Sequence, residues 1–250
     1  MLFDVDGVLV DGSGPTHVGA FADALAAAVP GAPDPFRVEG GVVRCVGEPV
    51  AGLVDGIIAR RCLATAGLFP RGAERRLGDF VEHLVSAYWA RVNAGEPVGR
   101  VLDGVGDLLD ALGQRGDYCG LLTGNTAQIC EAKLGWLGLW GRFCCGAFGD
   151  GARGRRELFT GALRSARRAG WPGGPVVYLG DTPRDVAAAH AVGVAAVAVA
   201  TGSYGVEALA WSNPDAVLES LRPAGKALAA IDAAVRSVRA LGDRVDTART

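Results

Sequence analysis

The chain has 250 residues, half of them hydrophobic and 21% charged, with 25 Lys and Arg against 27 Asp and Glu. That much apolar surface can build a sizeable core, so a disordered chain is excluded. The near-balanced charge, with no basic cluster facing an aromatic platform, excludes a nucleic-acid protein built on a positive field. No membrane association is expected, because the longest apolar run, Val192 to Ala200, falls far short of the ~20 residues a membrane helix needs. The amino terminus has no basic region and carries two carboxylates within its first six residues, unlike a signal peptide. Six cysteines, at 45, 62, 119, 130, 144 and 145, form no C-x-x-C pair. They read as small core residues in a reducing compartment, which places the chain in the cytoplasm.

In chain order, Leu2-Phe3 runs into Asp4-Val5-Asp6-Gly7, a short buried strand ending in acidic residues. A central strand usually has about five or six residues, so this one is either short or begins upstream. From Gly12 to Gly99 no clear set of strands stands out, and the spacing predicts at least three helices. The best of them places Leu77, Phe80, Val81, Leu84, Val85, Tyr88, Trp89 and Val92 on one face. Gly12-Ser13-Gly14-Pro15 and Gly95-Glu96-Pro97 punctuate its two ends as hinges.

Beyond it, strands at Cys119–Leu122, Phe143–Phe148, Val176–Gly180 and Ala195–Ala200 alternate with helical patterns at Val105–Leu112, Ala127–Leu137, Glu157–Ala169 and Pro183–Val192. That alternation predicts a parallel α/β sheet. The expected division is a core of residues 1–11 and 100–222, a helical insertion of residues 12–99, and a helical tail of residues 223–250. The tail carries a weak stripe of Leu228, Ile231, Val235, Val238 and Leu241, with fraying expected after Gly242.

Parallel sheets bind ligands at the carboxyl ends of their strands, where the polar residues of this chain gather. Asp4 and Asp6, two apart, share one face of the chain. A calcium loop is rejected because Val8 and Val10 stand where oxygen ligands would be needed. Thr123-Gly124-Asn125 follows another strand and opens a helix, capped by Asn125 or Thr126, whose N-terminus suits an anion. In Asp181-Thr182-Pro183-Arg184-Asp185, Thr182 is a natural N-cap, Pro183 fits the first helical position and Asp185 completes a capping box. If Asp4, Asp6, Asp181 and Asp185 converge, their mutual repulsion, about 4 kcal/mol for a pair 4 Å apart, calls for a cation. An all-oxygen site suits Mg²⁺, which keeps room for a phosphate oxygen. Thr123 and a basic residue would then hold the other phosphate oxygens.

These segments, in this order, resemble the haloacid-dehalogenase superfamily in its Mg²⁺-dependent, cap-bearing phosphatase branch, similar to phosphoglycolate phosphatases. The resemblance rests on Asp4-Val5-Asp6-Gly7-Val8-Leu9, Leu121-Leu122-Thr123-Gly124-Asn125 and Gly180-Asp181-Thr182-Pro183-Arg184-Asp185-Val186. Ala147-Phe148-Gly149-Asp150, Arg155-Arg156-Glu157-Leu158 and Ala200-Thr201-Gly202 resemble one subgroup. It implies a Rossmann-like parallel-sheet core with an inserted all-helical cap domain. It implies Asp4 as the nucleophile that forms an aspartyl-phosphate, and Asp6 as general acid and base. Mg²⁺ would be held by Asp4, the backbone carbonyl of Asp6 and Asp181, with Asp185 behind them. Thr123, Gly124 and Asn125 would cradle the phosphate of a small phosphorylated substrate.

The basic member departs from that pattern, because Arg155-Arg156 stands where most relatives carry lysine. Arg155 is the expected phosphate-binding cation, ahead of Arg156. Lys133, about 10 Å along its helix from the phosphate end, reads as a surface or packing lysine. His17, His83 and His190 read as structural or solvated. Asp6 and Asp181 argue against a hydrolytic dehalogenase. The absence of lysine from residues 12–99 argues against imine chemistry. A sugar phosphomutase keeps the same motifs. A non-catalytic phospho-ligand or partner-binding protein would show loss of Asp4 or Asp6, and both are present.

Overall fold

A computed structural model describes the backbone of residues 1–247 and the side chains of residues 1–237. The strands, in chain order, are β1 (Leu2–Phe3), β2 (Val10–Asp11), β3 (Phe36–Glu39), β4 (Val42–Cys45), β5 (Glu48–Pro49), β6 (Arg100–Val101), β7 (Gly120–Leu122), β8 (Cys145–Ala147), β9 (Val177–Gly180), β10 (Ala195–Val199) and β11 (Ala216–Leu218). The helices are α1 (Gly14–Ala28), α2 (Asp55–Thr65), α3 (Pro70–Asn93), α4 (Val105–Gln114), α5 (Ala127–Trp136), α6 (Arg155–Arg168), α7 (Pro183–His190), α8 (Val206–Ala210) and α9 (Ala224–Thr247).

Six strands form one parallel sheet in the order β11-β10-β9-β1-β7-β8. Alternate residues face opposite sides, as the pleat requires. Phe3, Leu121, Leu179 and Val197 join one apolar layer with α4, α5 and α9. Leu2, Leu122, Tyr178 and Ala198 join the other with α6 and α7. The expected α/β fold is therefore present, with all five expected strands. The sixth, β11, was not foreseen.

The inserted segment packs its own core, in which Phe21 and Leu25 of α1, Cys62 and Leu63 of α2, and Phe80, Leu84 and Tyr88 of α3 meet. The expectation of an all-helical insertion is corrected here. Strands β3, β4 and β5 form a small antiparallel sheet within it. Its hairpin turns on Gly40 and Gly41, both at positive φ, as a tight two-residue turn demands. On α3 the buried face is narrower than the sequence suggested, with Trp89 39% exposed. The chain leaves and re-enters the core side by side, since Val10–Asp11 pairs antiparallel with Arg100–Val101.

Helix α9 buries Ala227, Ile231 and Ala234 against the sheet's layer, so it is an integral covering element. It runs to Thr247, so its backbone stays helical through Gly242, where fraying was expected to begin. The expected stripe positions Val238 and Leu241 lie outside the residues whose side chains are described, as does any structure of 248–250. No helix among the described residues is long and apolar enough to cross a membrane. All six cysteines are free thiols, and Cys45, Cys62, Cys119 and Cys130 are buried.

Candidate active site

Strand order decides where the site forms. β1 sits between β7 and β9, so the loops after these three strands open at one place. Phe3 pairs with Leu121 and with Leu179, which puts Asp4 level with Leu122 and Gly180, one residue short of Thr123 and Asp181. The Asp4 amide donates to Leu179 O at 2.9 Å, which fixes where the loop begins.

Asp4, Asp181 and Asp185 are buried, and one carboxylate oxygen from each lies within 4.8 Å of the others. Burial, ahead of any neighbouring charge, pushes the Asp4 carboxyl up to about 6 and that of Asp181 up to about 8. For Asp181 the negative charges of Asp185 and Asp4 add to the effect. The Asp181 carboxylate is held sterically in a notch between two glycines. A Cβ on Gly7, at φ +79°, would come within 2.2 Å of it, and one on Gly202 within 1.8 Å.

Asp185 is differently placed. Its Oδ2 accepts from Thr182 N (2.9 Å) and Thr182 Oγ1 (2.7 Å), completing the expected capping box. Its Oδ1 meets Tyr178 Oη at 3.0 Å and Arg155 Nη1 at 2.7 Å. With both oxygens occupied, Asp185 supports the cluster from behind. Each Asp185 oxygen carries two contacts, whereas each Asp4 oxygen carries one, from Val5 N at 2.8 Å and from Arg155 Nη2 at 2.7 Å. The lone pairs left on Asp4, with the Asp181 carboxylate, make an oxygen set that fits a hard divalent cation.

Arg155, the first residue of α6, is buried and lies beside this cluster. Nη2 donates to Asp4 Oδ2 (2.7 Å), Nη1 to Tyr178 Oη (2.8 Å) and Nε to Gly52 O (3.0 Å). Burial alone would lower its pKa, but Asp185 and Asp4 outweigh that and hold it well above the ordinary arginine value. Arg156, one residue on, is exposed.

The expected convergence of four carboxylates is corrected to three. The Asp6 side chain points into a second cluster. It accepts hydrogen bonds from Ser13 Oγ, Asn125 Nδ2 (2.7 Å) and Lys133 Nζ, which is 3.0 Å from both of its oxygens. Burial alone would raise the Asp6 carboxyl. The Lys133 ammonium, His17 and the hydrogen bonds from Ser13 and Asn125 together outweigh it and hold the group below the usual carboxylate range.

Lys133 is fully buried, which removes the surface half of its reading as a surface or packing lysine. Helical side chains lean toward the N-terminus of their helix, so a long lysine recovers much of the axial distance that separated it from the site. His17 is drawn into the same cluster, with Nδ1 3.4 Å from Lys133 Nζ and Nε2 3.2 Å from Asp55 Oδ2.

In the strand-to-helix turn after β7, Thr126, one of the two expected caps, is the N-cap of α5. The amides of Thr126 and Ala127 donate to the carboxylates of Asp55 (2.7 Å) and Asp150 (3.0 Å), so this chain supplies its own anions to that helix end. Thr123 Oγ1 accepts from Asn125 Nδ2 (2.8 Å) and Asn125 N (3.3 Å), which frees its hydroxyl hydrogen to donate elsewhere. The Asn125 side chain is committed to Asp6, Thr123 and Lys133. Gly124 is in the contact between insertion and core, since a Cβ there would stand 2.3 Å from Leu53 O.

The family model for haloacid dehalogenase-like hydrolases matches residues 1–193. A phosphoglycolate phosphatase from Synechococcus elongatus is 31% identical over 169 residues, covering 65% of this chain and 71% of that protein. A solved hydrolase from Pseudomonas syringae superposes with a TM-score of 0.59 at 21% identity, covering 88% of this chain and 92% of that one. The β-phosphoglucomutase of Clostridium difficile superposes with a TM-score of 0.60 at 16% identity, over 88% and 89% of the two chains. The chain belongs to the haloacid dehalogenase-like hydrolases. Within that family it is an enzyme of the phosphatase kind.

Proposed function

We propose that the protein is a Mg²⁺-dependent phosphomonoesterase that hydrolyses a small phosphorylated metabolite through an aspartyl-phosphate on Asp4. The observation that carries this reading is the Asp4–Arg155–Asp181 arrangement. It sets a buried carboxylate against a fixed cation and beside a second carboxylate in a steric notch. Asp4, Asp181 and the Asp6 backbone carbonyl would hold Mg²⁺, which would neutralise charge on the phosphoryl group and the carboxylates.

Asp4 attacks phosphorus and the bond to the leaving oxygen breaks, while Asp6, ionised in the free enzyme beside Lys133 and protonated when the substrate's negative charge enters the site, gives that oxygen a proton. Water then attacks the acyl phosphate and returns a proton to Asp6, which closes the cycle. Arg155 and the Thr123 hydroxyl, with the Gly124 amide, orient the phosphoryl oxygens and stabilise their charge. Asn125 serves by holding Asp6 and Thr123.

A cleft of about 180 Å³ between Leu53, Ile57, Arg155 and Arg184 leaves room for a small leaving group. The relative named phosphoglycolate phosphatase makes 2-phosphoglycolate the first substrate to try. The division that goes with this reading is a catalytic core of residues 1–11 and 100–222, a cap of residues 12–99, and a covering tail from 223. The six free thiols favour a cytoplasmic location.

The experiment is phosphate release from a panel of phosphomonoesters, with Mg²⁺ and with EDTA. Release that requires Mg²⁺ supports the reading, and silence across the panel overturns it. A phosphomutase, the second reading raised by the structural neighbour, would move phosphate within its substrate without net release.

A further inference from the structure

Lys133 takes no part in the Asp4–Asp181–Arg155 end of the site, yet its surroundings are specific. An ammonium has three hydrogens and accepts nothing. Here they meet the Asp6 carboxylate, Asn125 Oδ1 at 2.9 Å and His17 Nδ1 at 3.4 Å. The ring of Tyr88, from α3, lies over the same ammonium, 5.9 Å from centroid to nitrogen. Because Lys133 can only donate, His17 Nδ1 accepts, and its Nε2 carries the hydrogen that faces Asp55. The same Asp55 oxygen accepts from Thr126 N, at the start of the helix that carries Lys133. The connections therefore form a closed ring running Asp6, Lys133, His17, Asp55 and Thr126, and back to Asp6 through Asn125, the chain neighbour of Thr126. His17 and Asp55 come from the inserted segment, and the others come from the core.

We infer that Lys133 is a positioning residue for Asp6, and that His17 and Asp55 couple that position to the seating of the inserted segment on the core. The inference rests on the phosphatase reading for its kinetic consequence. A buried lysine whose only task was to fill space would be replaced by an apolar side chain at no loss, since burying a charge is costly unless each of its bonds is met. A phosphate-binding role is already filled by Arg155 at Asp4, whereas Lys133 faces Asp6 and is closed off by Asn125, His17 and Tyr88.

The test compares wild type with Lys133→Met and His17→Phe on the best phosphomonoester of the panel. Lys133→Met lowers kcat by about tenfold or more and leaves KM within about threefold, because a carboxylate that must both give and take a proton loses rate rather than binding when it is misplaced. His17→Phe gives a smaller loss of kcat in the same direction. The double variant is no worse than Lys133→Met alone, as expected for residues acting in one ring. A rise in KM at unchanged kcat would make Lys133 a phosphate ligand and overturn the inference. So would a lowered melting temperature with unchanged kcat per folded molecule.

If Lys133→Met does not fold, His17→Phe decides alone, and an unchanged kcat sinks the proposal. Hydrogen exchange supplies a readout that needs no turnover. Both variants speed exchange at residues 6–8 and 14–19 and leave β9 and α7 unaffected. Unchanged exchange at those residues would overturn the inference even if wild type proved inactive on every ester. Such inactivity would refute the phosphatase reading separately.

Discussion

Arg155 Nη2 lies 2.7 Å from Asp4 Oδ2, and neither side chain is more than 7% exposed. The pair joins the first residue of α6 to the end of β1, and through Gly52 O it also reaches the inserted segment. One guanidinium therefore holds the proposed nucleophile, the supporting Asp185 and a loop of the insertion in fixed relation.

Arg155→Ala leaves Asp4 and Asp185 buried without their cation. Breaking a buried pair in this way costs about 3–5 kcal/mol. Urea denaturation is expected to show that loss, with phosphatase activity reduced at least about a hundredfold. Arg156→Ala, on the exposed side of the same turn, changes stability by less than about 0.5 kcal/mol. Equal effects of the two substitutions would contradict the assignment.

Asp4→Asn preserves size and keeps an oxygen for Arg155. It removes the attacking carboxylate, so kcat per folded molecule falls by at least about 1,000-fold, while the amide nitrogen set against Val5 N lowers the melting temperature modestly. Retention of a tenth of wild-type kcat would show that another group attacks phosphorus.

Mg²⁺ binds the assembled carboxylates and has no assembled site in the unfolded chain. At a hundred times Kd it stabilises by about 2.7 kcal/mol. For a chain of this length that is a melting shift of roughly 5–10 °C. Asp181→Ala removes most of the shift and raises the melting temperature of the metal-free protein, because it deletes a carboxylate whose charge is opposed by burial and by Asp185. Melts at fixed ionic strength decide it, and an equal shift in both proteins would place the ion elsewhere.

Gly56, the second residue of α2, lies against the core. A Cβ there would stand 2.9 Å from each of the carbonyl oxygens of Gly149, Asp150 and Ala152. Intrinsic helix propensity favours Gly56→Ala by about 1 kcal/mol. Overpacking against three backbone oxygens opposes it by about 1–3 kcal/mol. The expected result is a net destabilisation with a raised KM. A stabilised variant with unchanged KM would mean that this contact yields without cost.

Much of the site was legible because strand ends and caps are local. Asp4, Thr123 and Asp181 each follow a short apolar run, and Thr182-Pro183-Arg184-Asp185 carries its capping chemistry in four consecutive residues. Lys133 was misjudged because distance along a helix axis ignores the lean and length of the side chain. Tyr178 was hidden inside a strand, where an aromatic residue reads as core and its hydroxyl leaves no periodic trace. Asp55 and His17 acquire meaning only when the insertion folds back on α5. The hairpin of β3 and β4 did have a signal, Gly40-Gly41 between alternating Phe36-Arg37-Val38-Glu39 and Val42-Val43-Arg44-Cys45, which the helical pattern around it obscured. Strand β11 has three residues, too few for any period.

The pairing of Val10–Asp11 with Arg100–Val101 has an architectural consequence. The two points of departure lie one strand spacing apart, about 4.8 Å. A turn of a few residues could bridge them, so the sheet does not require the intervening chain for its connectivity. Besides the polar contacts of Arg155, Lys133 and Thr126, what resists such an excision is the apolar contact of α5, whose Ile129 and Ala132 pack into the insertion's own core. A shortened protein would need polar residues at those two positions to stay in solution, and with them the same sheet could accept a different roof.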